Sequence, residues 1–423
     1  MRIVVVGGGL AGLAAALELS AEGHAVTVLE ARPKLGGAVQ TLPAREGDPE
    51  PPPDNGQHIA LNCFRSYLRF LGEIGSLESM RWMRLSLPVV GEDGSVARIA
   101  PEAIALLRYR HISFRDRLAV ALALRAVGKL DPASHDDETF ADVLRRLGLS
   151  QPAIDRFWDV FIRPALNLGS EEVAASAAIF TVQTALLADK RSSDVVLPAA
   201  PLGEMHGEAA GRTLEAHGVV VRTDARVAAL EDDAAVLADG ERFEGEAFVV
   251  AVPPYESARL LGEPEPALED SPIVSVHLLF DRPIFRFPLA ALLGSRAHWI
   301  FDRGRLTGRE PGRGQYLTVV SSGAPELLEI RGRALVETIA GEVTGRLGRA
   351  QLLWSRVSRE PAATVALRPG TAALRPGPET TRPNVVRAGA WTATGWPATM
   401  EGAVRSGRIA AARLLGSAKL VIA

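Results

Sequence analysis

The amino-acid sequence predicts an α/β fold in which a parallel sheet is assembled from separated parts of the chain and a second domain mixes helices and strands. Three observations support the prediction. The chain opens with a β-branched run, a glycine-rich turn and a helical stretch; more β-rich runs lie between residues 219 and 252; and a strand followed by a small-residue helix lies near the C-terminus. Strands that alternate with helices are typical of parallel sheets.

The composition is that of a globular chain. Its 423 residues are 47% hydrophobic and 23% charged, which suffices for one large core or two interlocked cores. The formal net charge of -3 provides no field that would attract nucleic acid, so we predict no DNA or RNA partner. No apolar run approaches the roughly 18 residues of a membrane span. The N-terminus has no signal-peptide pattern either, and we expect a cytoplasmic protein.

The chain has a single cysteine, Cys63. One cysteine excludes an intramolecular disulfide and a thiolate metal cluster, and it suits a reducing compartment. We expect Cys63 to be a buried apolar side chain, and we predict no metal site.

The N-terminal stretch predicts a nucleotide-binding unit. Arg2–Val6 is rich in β-branched residues, as a central parallel strand is, and Leu10–Glu22 is a helical run of Ala and Leu. Between them, Gly7, Gly9 and Gly12 fill the G-x-G-x-x-G positions. The first glycine permits the sharp turn, the second lets a pyrophosphate approach the backbone, and the third lets helix and strand pack closely.

The other parts of a nucleotide-binding βαβ unit follow in the expected sequence order. The helix N-terminus at Leu10 and Ala11 presents free N–H groups to phosphates, and Gly23 can cap the other end of the helix. Ala25–Leu29 forms the second strand, and Glu30 follows it, where a carboxylate accepts hydrogen bonds from ribose hydroxyls. A glycine pattern alone can be an ordinary turn, but the complete order favours a dinucleotide site without separating NAD from FAD.

The continuation favours FAD. EARPKLGG, Glu30–Gly37, resembles the E-x-R-x-x-x-G-G extension of FAD enzymes of the amine oxidase and phytoene desaturase superfamily. The resemblance implies non-covalent FAD, with Arg32, Gly36 and Gly37 among the residues that bind it. The superfamily usually has Arg after those glycines, whereas this chain has Ala38, so one phosphate-directed charge is missing.

The stretch AGAWTATGWPATMEGAVRSG, 388–407, is similar to the C-terminal strand and helix that close the flavin site in this superfamily. The small pairs Gly402/Ser406 and Ala403/Gly407 form a face that another backbone can approach closely. A small-residue helix packed on a sheet without a ligand is the alternative. The flavin-binding positions that the resemblance implies in this stretch are Gly389, Ala398, Thr399 and Met400.

One position of this stretch departs from the superfamily pattern, because Ala390 stands where an Asp is usual. Ala38 and Ala390 together remove two polar contacts, each worth about 0.5–1.5 kcal/mol. We therefore expect FAD affinity to fall by roughly one to three decades without being abolished.

The strands between residues 219 and 252 resemble the later strands of the FAD domain, with Val227 meeting the adenine through its backbone. The resemblance predicts a discontinuous Rossmann-type FAD-binding domain and a second, mixed α+β substrate domain. The FAD domain takes residues 1–75, 205–265 and 381–423, and the substrate domain takes residues 76–204 and 266–380.

Two further segments each have two interpretations. DNGQH contains an Asn-Gly turn, or else Gly56 lets the backbone touch the flavin while Asp54, Gln57 and His58 stand beside it. Residues 99–129 combine Leu/Ala-rich helical stretches with many Arg. They form helices that contact anionic lipid at the inner face of the membrane, or a packed helix pair with a solvated edge.

Taken together, these motifs resemble the hydroxysqualene dehydroxylases, also called squalene-associated FAD-dependent desaturases. The match also includes LLRYRHISFRDRL, HWIFDRGRLTG and GQYLTVV. DNGQH, the RYRHIS segment and TGWPATMEGAVRSG are the more selective motifs, and Asn62, where Gly is common, is a departure. The resemblance implies removal of the allylic hydroxyl of a long-chain isoprenoid by hydride from reduced FAD, with Asp54 or His58 as the acid. The reductant is not identified, although NADPH is a candidate.

Two rival classes remain open at this stage. One is a flavin oxidase or desaturase acting on an amine or a polyene, for which Tyr255 and Tyr316 are candidate aromatic side chains around an amine. The other is a lipid-binding relative that has lost its flavin, as the two alanines would allow.

Overall fold

The computed structural model describes residues 1–416. Its strands are β1 Arg2–Val6, β2 Ala25–Leu29, β3 Ala60–Leu61, β4 Met80–Met83, β5 Leu87–Val90, β6 Val96–Ile99, β7 Val195–Pro198, β8 Val220–Arg222, β9 Val227–Leu230, β10 Ala234–Leu237, β11 Arg242–Glu244, β12 Ala247–Val250, β13 Asp270–Phe280, β14 Leu289–Leu292, β15 Trp299–Asp302, β16 Gln315–Ser322, β17 Leu352–Val365 and β18 Val385–Arg387.

The helices are α1 Leu10–Ala21, α2 Arg65–Glu73, α3 Ala103–Leu107, α4 Phe114–Val127, α5 Phe140–Arg146, α6 Gln151–Ala153, α7 Asp159–Leu166, α8 Ala175–Val182, α9 Ala209–Ala216, α10 Pro254–Leu261, α11 Arg303–Thr307, α12 Glu326–Glu329, α13 Gly332–Leu347, α14 Thr371–Leu374 and α15 Met400–Leu414. Short 3-10 or π-helical turns are found at Leu77–Ser79, Pro132–His135, Ile154–Trp158, Gln183–Leu187 and Glu204–Glu208.

A five-stranded parallel sheet forms the base of the molecule, in the order β18-β12-β1-β2-β8. Its strands come from three distant stretches of the chain, so the sheet is discontinuous in sequence, as predicted. β1 lies at its centre and pairs with β2 and β12, which is why Ile3, Val4 and Val5 are fully buried. Apolar side chains on both faces are typical of a parallel sheet covered on both sides.

Helices α1 and α15 pack against each other beside this sheet. The residues of α1 from Leu10 to Leu19 are all buried, which explains why the helix is apolar all round rather than amphipathic. α15 begins after a side-chain cap from Thr399 and ends before Gly416, which has a positive φ of 62°. The predicted strand and helix near the C-terminus are therefore present.

A second sheet of seven strands defines the other part of the molecule, in the order β17-β13-β16-β15-β14-β5-β6. It is antiparallel except where β14 runs parallel to β5. The long strands β13 and β17 pair along nearly their whole length. Helices of residues 103–187 pack with it into a core around Trp158, Phe140 and Phe301. This mixed layer is the α+β domain that the sequence predicts, while the exact domain boundaries stay a prediction.

Cys63 is buried, as expected from the sequence, and burial raises the pKa of its thiol to about 12. No helix in residues 1–416 is both long enough and apolar enough to cross a membrane.

Candidate functional site

The glycine turn after β1 is shaped by contacts that no side chain would allow. Gly7 has a φ of 107°, and a Cβ on it would lie 2.3 Å from the carbonyl oxygen of Ala251. A Cβ on Gly12 would lie 1.9 Å from the carbonyl oxygen of Gly7. The turn and the close helix packing that the sequence assigned to these two glycines are therefore present.

A second glycine turn lies against the first. Gly36 donates its N–H to the carbonyl oxygen of Gly8 at 2.8 Å, and Gly36 and Gly37 both have positive φ. A Cβ on Gly37 would come within 2.7 Å of the Gly9 Cα atom, whereas a Cβ on Gly9 would meet no atom closer than 3.7 Å. A Cβ on Gly9 would therefore make only an ordinary contact with Gly37, so the protein does not crowd the N-terminus of α1, where Leu10 and Ala11 begin the helix. Helix N–H groups in such a place suit an anionic ligand.

Glu30 stands at the end of β2 and is buried. Its Oε2 accepts a hydrogen bond from the Gly8 N–H at 2.7 Å, and its Oε1 accepts one from the Arg32 N–H at 2.8 Å. These two bonds fix the carboxylate while leaving acceptor capacity for a ribose hydroxyl. The segment before β9 lies alongside, because the Ala225 N–H donates to the Glu30 carbonyl at 2.9 Å. Val227 is close by in sequence, and its carbonyl accepts from Arg259 at 3.0 Å.

The C-terminal element closes onto this turn. The Gly389 N–H donates to Ser406 Oγ at 2.9 Å, which ties the end of β18 to α15. A Cβ on Gly407 would lie 2.0 Å from the carbonyl oxygen of Ala11. The small face of α15 therefore lies directly on the first turn of α1. Thr399 caps α15 by accepting from the Gly402 N–H at 3.3 Å.

The loop between β18 and α15 is held by one arginine. Arg375 donates to the carbonyl oxygens of Trp391, Trp396, Ala390 and Thr392, at 3.3, 2.8, 2.8 and 2.6 Å. Burial lowers the pKa of this guanidinium to about 10, so it stays charged at neutral pH. Ala390 itself is half-buried and packs against the core of the second domain, the one around Trp158, Phe140 and Phe301. Within residues 1–416 no carboxylate forms an ion pair with Arg375.

Asp54, from the DNGQH loop, is fully buried in a polar cluster between the two domains. Its Oδ2 lies 2.8 Å from Arg303 Nη1, and its Oδ1 accepts from the Thr41 hydroxyl at 2.7 Å and the Leu202 N–H at 3.0 Å. Burial raises the pKa of Asp54, and the charge of Arg303 opposes that rise. Both hydrogen-bond partners of Oδ1 are donors and Oδ2 faces the Arg303 guanidinium, so these contacts favour the ionised form against the effect of burial.

The backbone of the same loop is also anchored. The carbonyl oxygen of Asp54 lies 2.9 Å from His277 Nε2, and Arg303 Nη1 donates to Gln57 Oε1 at 3.2 Å. A Cβ on Gly56 would lie 3.0 Å from the Ser275 hydroxyl oxygen. DNGQH is therefore not a free surface turn, because β13 and α11 hold it from the second domain.

His58 is half-buried, and burial together with nearby His206 lowers its pKa to about 4. His206 Nδ1 lies 2.8 Å from the Leu202 carbonyl, and its Nε2 lies 2.7 Å from the Tyr67 hydroxyl. A carbonyl beside Nδ1 requires the proton there, so Nε2 accepts from Tyr67 and His206 is neutral. His58 is likewise neutral at neutral pH. The catalytic roles of Asp54 and His58 stay predictions.

The N-terminal end of α15 faces an apolar surface of the second domain. Pro397, Ala398 and Thr399 line a cavity of about 10 Å³, enough for about one water molecule. The other lining residues come from the second domain: Ala165, Leu166, Thr364, Val365 and Leu367. The polar atoms here are backbone groups and two threonine hydroxyls, so this end of the helix contacts a mostly apolar surface.

Neither candidate tyrosine lines that cavity. Tyr255 is 58% exposed on α10, and Tyr316 is buried in β16 with its ring 6.3 Å from that of His277. A larger cavity of about 190 Å³ lies at β4, β5 and β6, between side chains that include Leu85, Phe287 and Trp299. Most of its surface is apolar as well.

Four residues of the site carry structural roles that the sequence did not suggest. Arg303 lies within HWIFDRGRLTG, whose pattern assigns it no role. Glu401 is fully buried on α15 and accepts from the Ser66 and Tyr67 N–H groups at 3.1 and 2.8 Å, thus capping α2. Arg375 donates to backbone carbonyl groups of a later loop, and Ser406 accepts from the backbone N–H of Gly389. Contacts of this kind leave no local sequence pattern.

The fold and the paired glycine turns define a two-domain dinucleotide-binding protein of the flavoprotein class. A sequence model of the family "Flavin containing amine oxidoreductase" matches residues 10–415, and the chain belongs to that family. It is therefore a flavin-dependent oxidoreductase.

Curated relatives extend over the whole chain. The chain is 28% identical to hydroxysqualene dehydroxylase of Sinorhizobium fredii, over 97% of each protein. It is 29% identical to the enzyme of the same name from Rhodopseudomonas palustris, over 98% of each. It is also 24% identical to 15-cis-phytoene desaturase of Capsicum annuum, with 100% of this chain and 79% of the relative covered.

Solved structures share the fold. A crystal structure of an oxidoreductase from Methanosarcina mazei superposes with a TM-score of 0.75 at 18% identity, covering 99% of this chain and 100% of the other. Cyclohexylamine oxidase from Brevibacterium oxydans gives a TM-score of 0.73 at 17% identity, with 98% and 99% covered.

Proposed function

We propose that the protein is an FAD-dependent hydroxysqualene dehydroxylase, which replaces the allylic hydroxyl of hydroxysqualene by hydrogen to give squalene. The observation that carries the proposal is the end-to-end match to two hydroxysqualene dehydroxylases, in which 97–98% of each relative is covered. The phytoene desaturase comparison leaves about a fifth of the relative unmatched. Fold alone would not separate these activities.

The cradle around the glycine turns supports FAD as the flavin. Glu30 is oriented for the ribose of an adenosine, the uncrowded N-terminus of α1 at Gly9 suits a pyrophosphate, and the capped N-terminus of α15 suits a ring that becomes anionic when reduced. The chain's own cysteine offers no covalent link, because burial raises the pKa of the Cys63 thiol to about 12 and leaves it unreactive. We therefore propose non-covalent FAD.

The reaction requires one hydride and one proton, because R–OH becomes R–H and water. Bound reduced flavin supplies the hydride. The protein's part is to hold the isoprenoid chain in apolar surroundings and to exclude bulk water. The aliphatic residues facing Thr399 enclose space for only about one water molecule, so their proposed part is to exclude water rather than to hold the chain. Thr364 and Thr399 are the hydroxyl side chains at that wall.

Two candidates for the proton donor differ in what the structure gives them. Asp54 is surrounded by donors and paired with Arg303, so a proton on its carboxyl would face other hydrogens. His58 is half-buried and neutral, because its pKa is lowered to about 4. Its N–H can donate a hydrogen bond to the leaving hydroxyl, and its imidazolium form is the one that transfers a proton. We propose His58 as the first candidate and Asp54 as the second.

The proposal is tested by anaerobic incubation of the purified protein with reduced FAD and hydroxysqualene, followed by mass detection of squalene. Two parallel incubations with oxidised FAD contain 15-cis-phytoene or a primary amine. We expect squalene in the first and no turnover in the other two. Unchanged hydroxysqualene together with desaturated phytoene would replace the proposed function by a desaturase.

The proton donor is tested with His58→Gln and with the double variant Asp54→Asn/Arg303→Gln, which removes both buried charges so that neither is left unpaired. Loss of a general acid lowers turnover by about 10²–10⁴-fold while flavin absorbance is retained. We expect that loss in His58→Gln. If both variants keep a tenth of wild-type turnover, neither residue is the acid.

A further inference from the structure

Helix α4 is apolar on its outer face as well as its inner face. Its inner side chains, Val120, Ala123 and Val127, are buried in the second core. On its outer side, Phe114, Leu118 and Leu122 are 62%, 48% and 69% exposed. A surface helix normally has polar residues on that side, so this outer row is not explained by the packing of the chain itself.

These outer side chains form one ridge. Residues four apart lie on the same face of a helix, so Phe114, Leu118 and Leu122 follow one another over about 12 Å. α3, which contacts α4, adds Ile104 and Leu107, which are 51% and 45% exposed.

Leu187 extends the ridge at the far end of α4. It is 42% exposed, and a Cβ on Gly128 would lie 3.1 Å from its Cδ1 atom. We call this set the α3–α4 patch: Ile104, Leu107, Phe114, Leu118, Leu122 and Leu187. Of the thirteen exposed large hydrophobic side chains in residues 1–416, six belong to it, so the exposed apolar surface is concentrated here.

Exposed cations flank the α3–α4 patch: Arg108, Arg110, Arg115, Arg125 and Lys129. None of the five takes part in an ion pair among the described residues. Arg125 lies seven residues after Leu118 and so continues the same face. Arg117 differs, because its guanidinium donates to the carbonyl oxygens of Leu107 and Ile112.

Acids are few and mostly occupied around the patch. Asp116 is half-buried, and its carboxylate accepts from the hydroxyls of Ser113 and Ser150 at 2.6 Å each. Glu102 precedes α3, and Asp131 follows α4 and caps the next turn. The surface between them therefore combines an apolar ridge with uncompensated positive charge.

We propose that the α3–α4 patch docks the protein in the plane of an anionic lipid bilayer, with the ridge at the boundary of headgroups and acyl chains and the cations among the headgroups. An apolar face bordered by Arg and Lys is the arrangement that binds such an interface. A second copy of the chain is a poorer occupant, because it would bring the same unpaired cations face to face. The docking proposal holds whatever the substrate is.

The proposal is tested by sedimentation of the flavin-loaded protein with vesicles of phosphatidylcholine, or of phosphatidylcholine with 30 mol% phosphatidylglycerol. Each lysine or arginine near an anionic surface contributes about fivefold in affinity. We expect binding to the anionic vesicles at least about tenfold tighter than to the neutral ones, and much weaker in high salt.

Two variants separate the ridge from the charges. Leu118→Ser/Leu122→Ser should lower binding to both vesicle types, whereas Arg110→Gln/Arg115→Gln/Arg125→Gln should remove the preference for anionic lipid. The matched control is Leu353→Ser/Val220→Ser, which alters two exposed aliphatic side chains elsewhere and should bind like wild type. Unchanged flavin absorbance confirms that each variant is folded.

Three outcomes would overturn the proposal. They are wild type that sediments with neither vesicle, binding that the leucine variant retains, and a dimer in size-exclusion chromatography that the leucine variant abolishes while no vesicles are bound. None of these readouts depends on dehydroxylase activity, so failure of the docking proposal and failure of the proposed function can be told apart.

Discussion

Arg375 occupies an unusual position for a charged residue. It is half-buried, has no carboxylate partner in the described part of the chain, and satisfies its guanidinium on the carbonyl oxygens of a single loop. That loop carries Ala390, where the superfamily pattern has an acid, and it leads directly to the Thr399 cap. Arg375 therefore acts as a positioning residue for the N-terminus of α15.

We predict that Arg375→Gln weakens FAD binding by at least about tenfold, because several buried carbonyl groups of the loop lose their donor at about 1–3 kcal/mol each. Fluorescence titration of the apoprotein with FAD measures this. Arg375→Lys should recover part of the affinity, since an ammonium supplies three donors without the planar fork. Arg333→Gln, at an 89% exposed side chain, is the control. Equal FAD affinity in Arg375→Gln and wild type would remove this role.

At the scale of elements, the contact of α15 with α1 determines how the two ends of the chain meet. Gly407 lies against the carbonyl oxygen of Ala11, on the first turn of α1, and the same helix carries the Thr399 cap eight residues earlier. Any side chain at Gly407 would separate the two helices. The glycine turn before α1 and the N-terminus of α15 would then no longer be held at a fixed distance from each other.

We predict that Gly407→Ala destabilises the protein by about 1–3 kcal/mol or more, as overpacked cores do, and reduces the flavin retained on purification. Thermal unfolding and the ratio of flavin to protein absorbance measure the two effects. Gly341→Ala is the matched control, since it also lies in a helix but a Cβ there meets nothing within 4 Å. It should be neutral or stabilising by up to about 1 kcal/mol. Equal behaviour of the two variants would contradict the packing argument.

The elements that could be predicted are those whose signal is local. Arg2–Val6, the glycine turn and Glu30 can be predicted because propensity and turn chemistry operate within a few residues. β13 is eleven residues long because it pairs with β17 along nearly its whole length. Pairing of this kind depends on a strand about 80 residues away, and single-sequence patterns do not contain it.

At the scale of the whole molecule, the two domains are connected by a buried polar cluster that no sequence pattern indicated. Asp54 from the DNGQH loop pairs with Arg303 from α11, and His277 from β13 lies between the Asp54 carbonyl and the Thr318 hydroxyl. Asp54 is separated from both Arg303 and His277 by more than 200 residues. Their pairing required the folded structure, because no local pattern links the three residues.

Two buried histidines, His277 of this cluster and His206 beside Tyr67, make the fold sensitive to mild acid. Burial lowers the pKa of His277 to about 3 and that of His206 to about 4, so both are neutral in the folded state at pH 5. In the unfolded chain they take up protons below about pH 6.5. Above about pH 6.5 these histidines are neutral in both states and do not change the free energy of unfolding. Below that pH only the unfolded chain binds the protons, so the free energy of unfolding decreases as the pH falls.

We predict that the free energy of unfolding decreases by about 2 kcal/mol per buried histidine between pH 7 and pH 5, since one pKa unit corresponds to about 1.4 kcal/mol. Burial raises the pKa values of Asp159 and Asp302, and protonation of these carboxyls stabilises the fold as the pH falls. The histidine effect is therefore measured as the difference in the free energy of unfolding between a variant and wild type. Denaturant unfolding followed by circular dichroism should show a pH slope about 1.4 kcal/mol per unit shallower in His277→Gln than in wild type. His217→Gln, on the exposed C-cap of α9, should keep the wild-type slope. Parallel pH profiles for His277→Gln and wild type would show that His277 is already protonated in the fold, and that the cluster between the domains carries a charge where we infer a neutral ring.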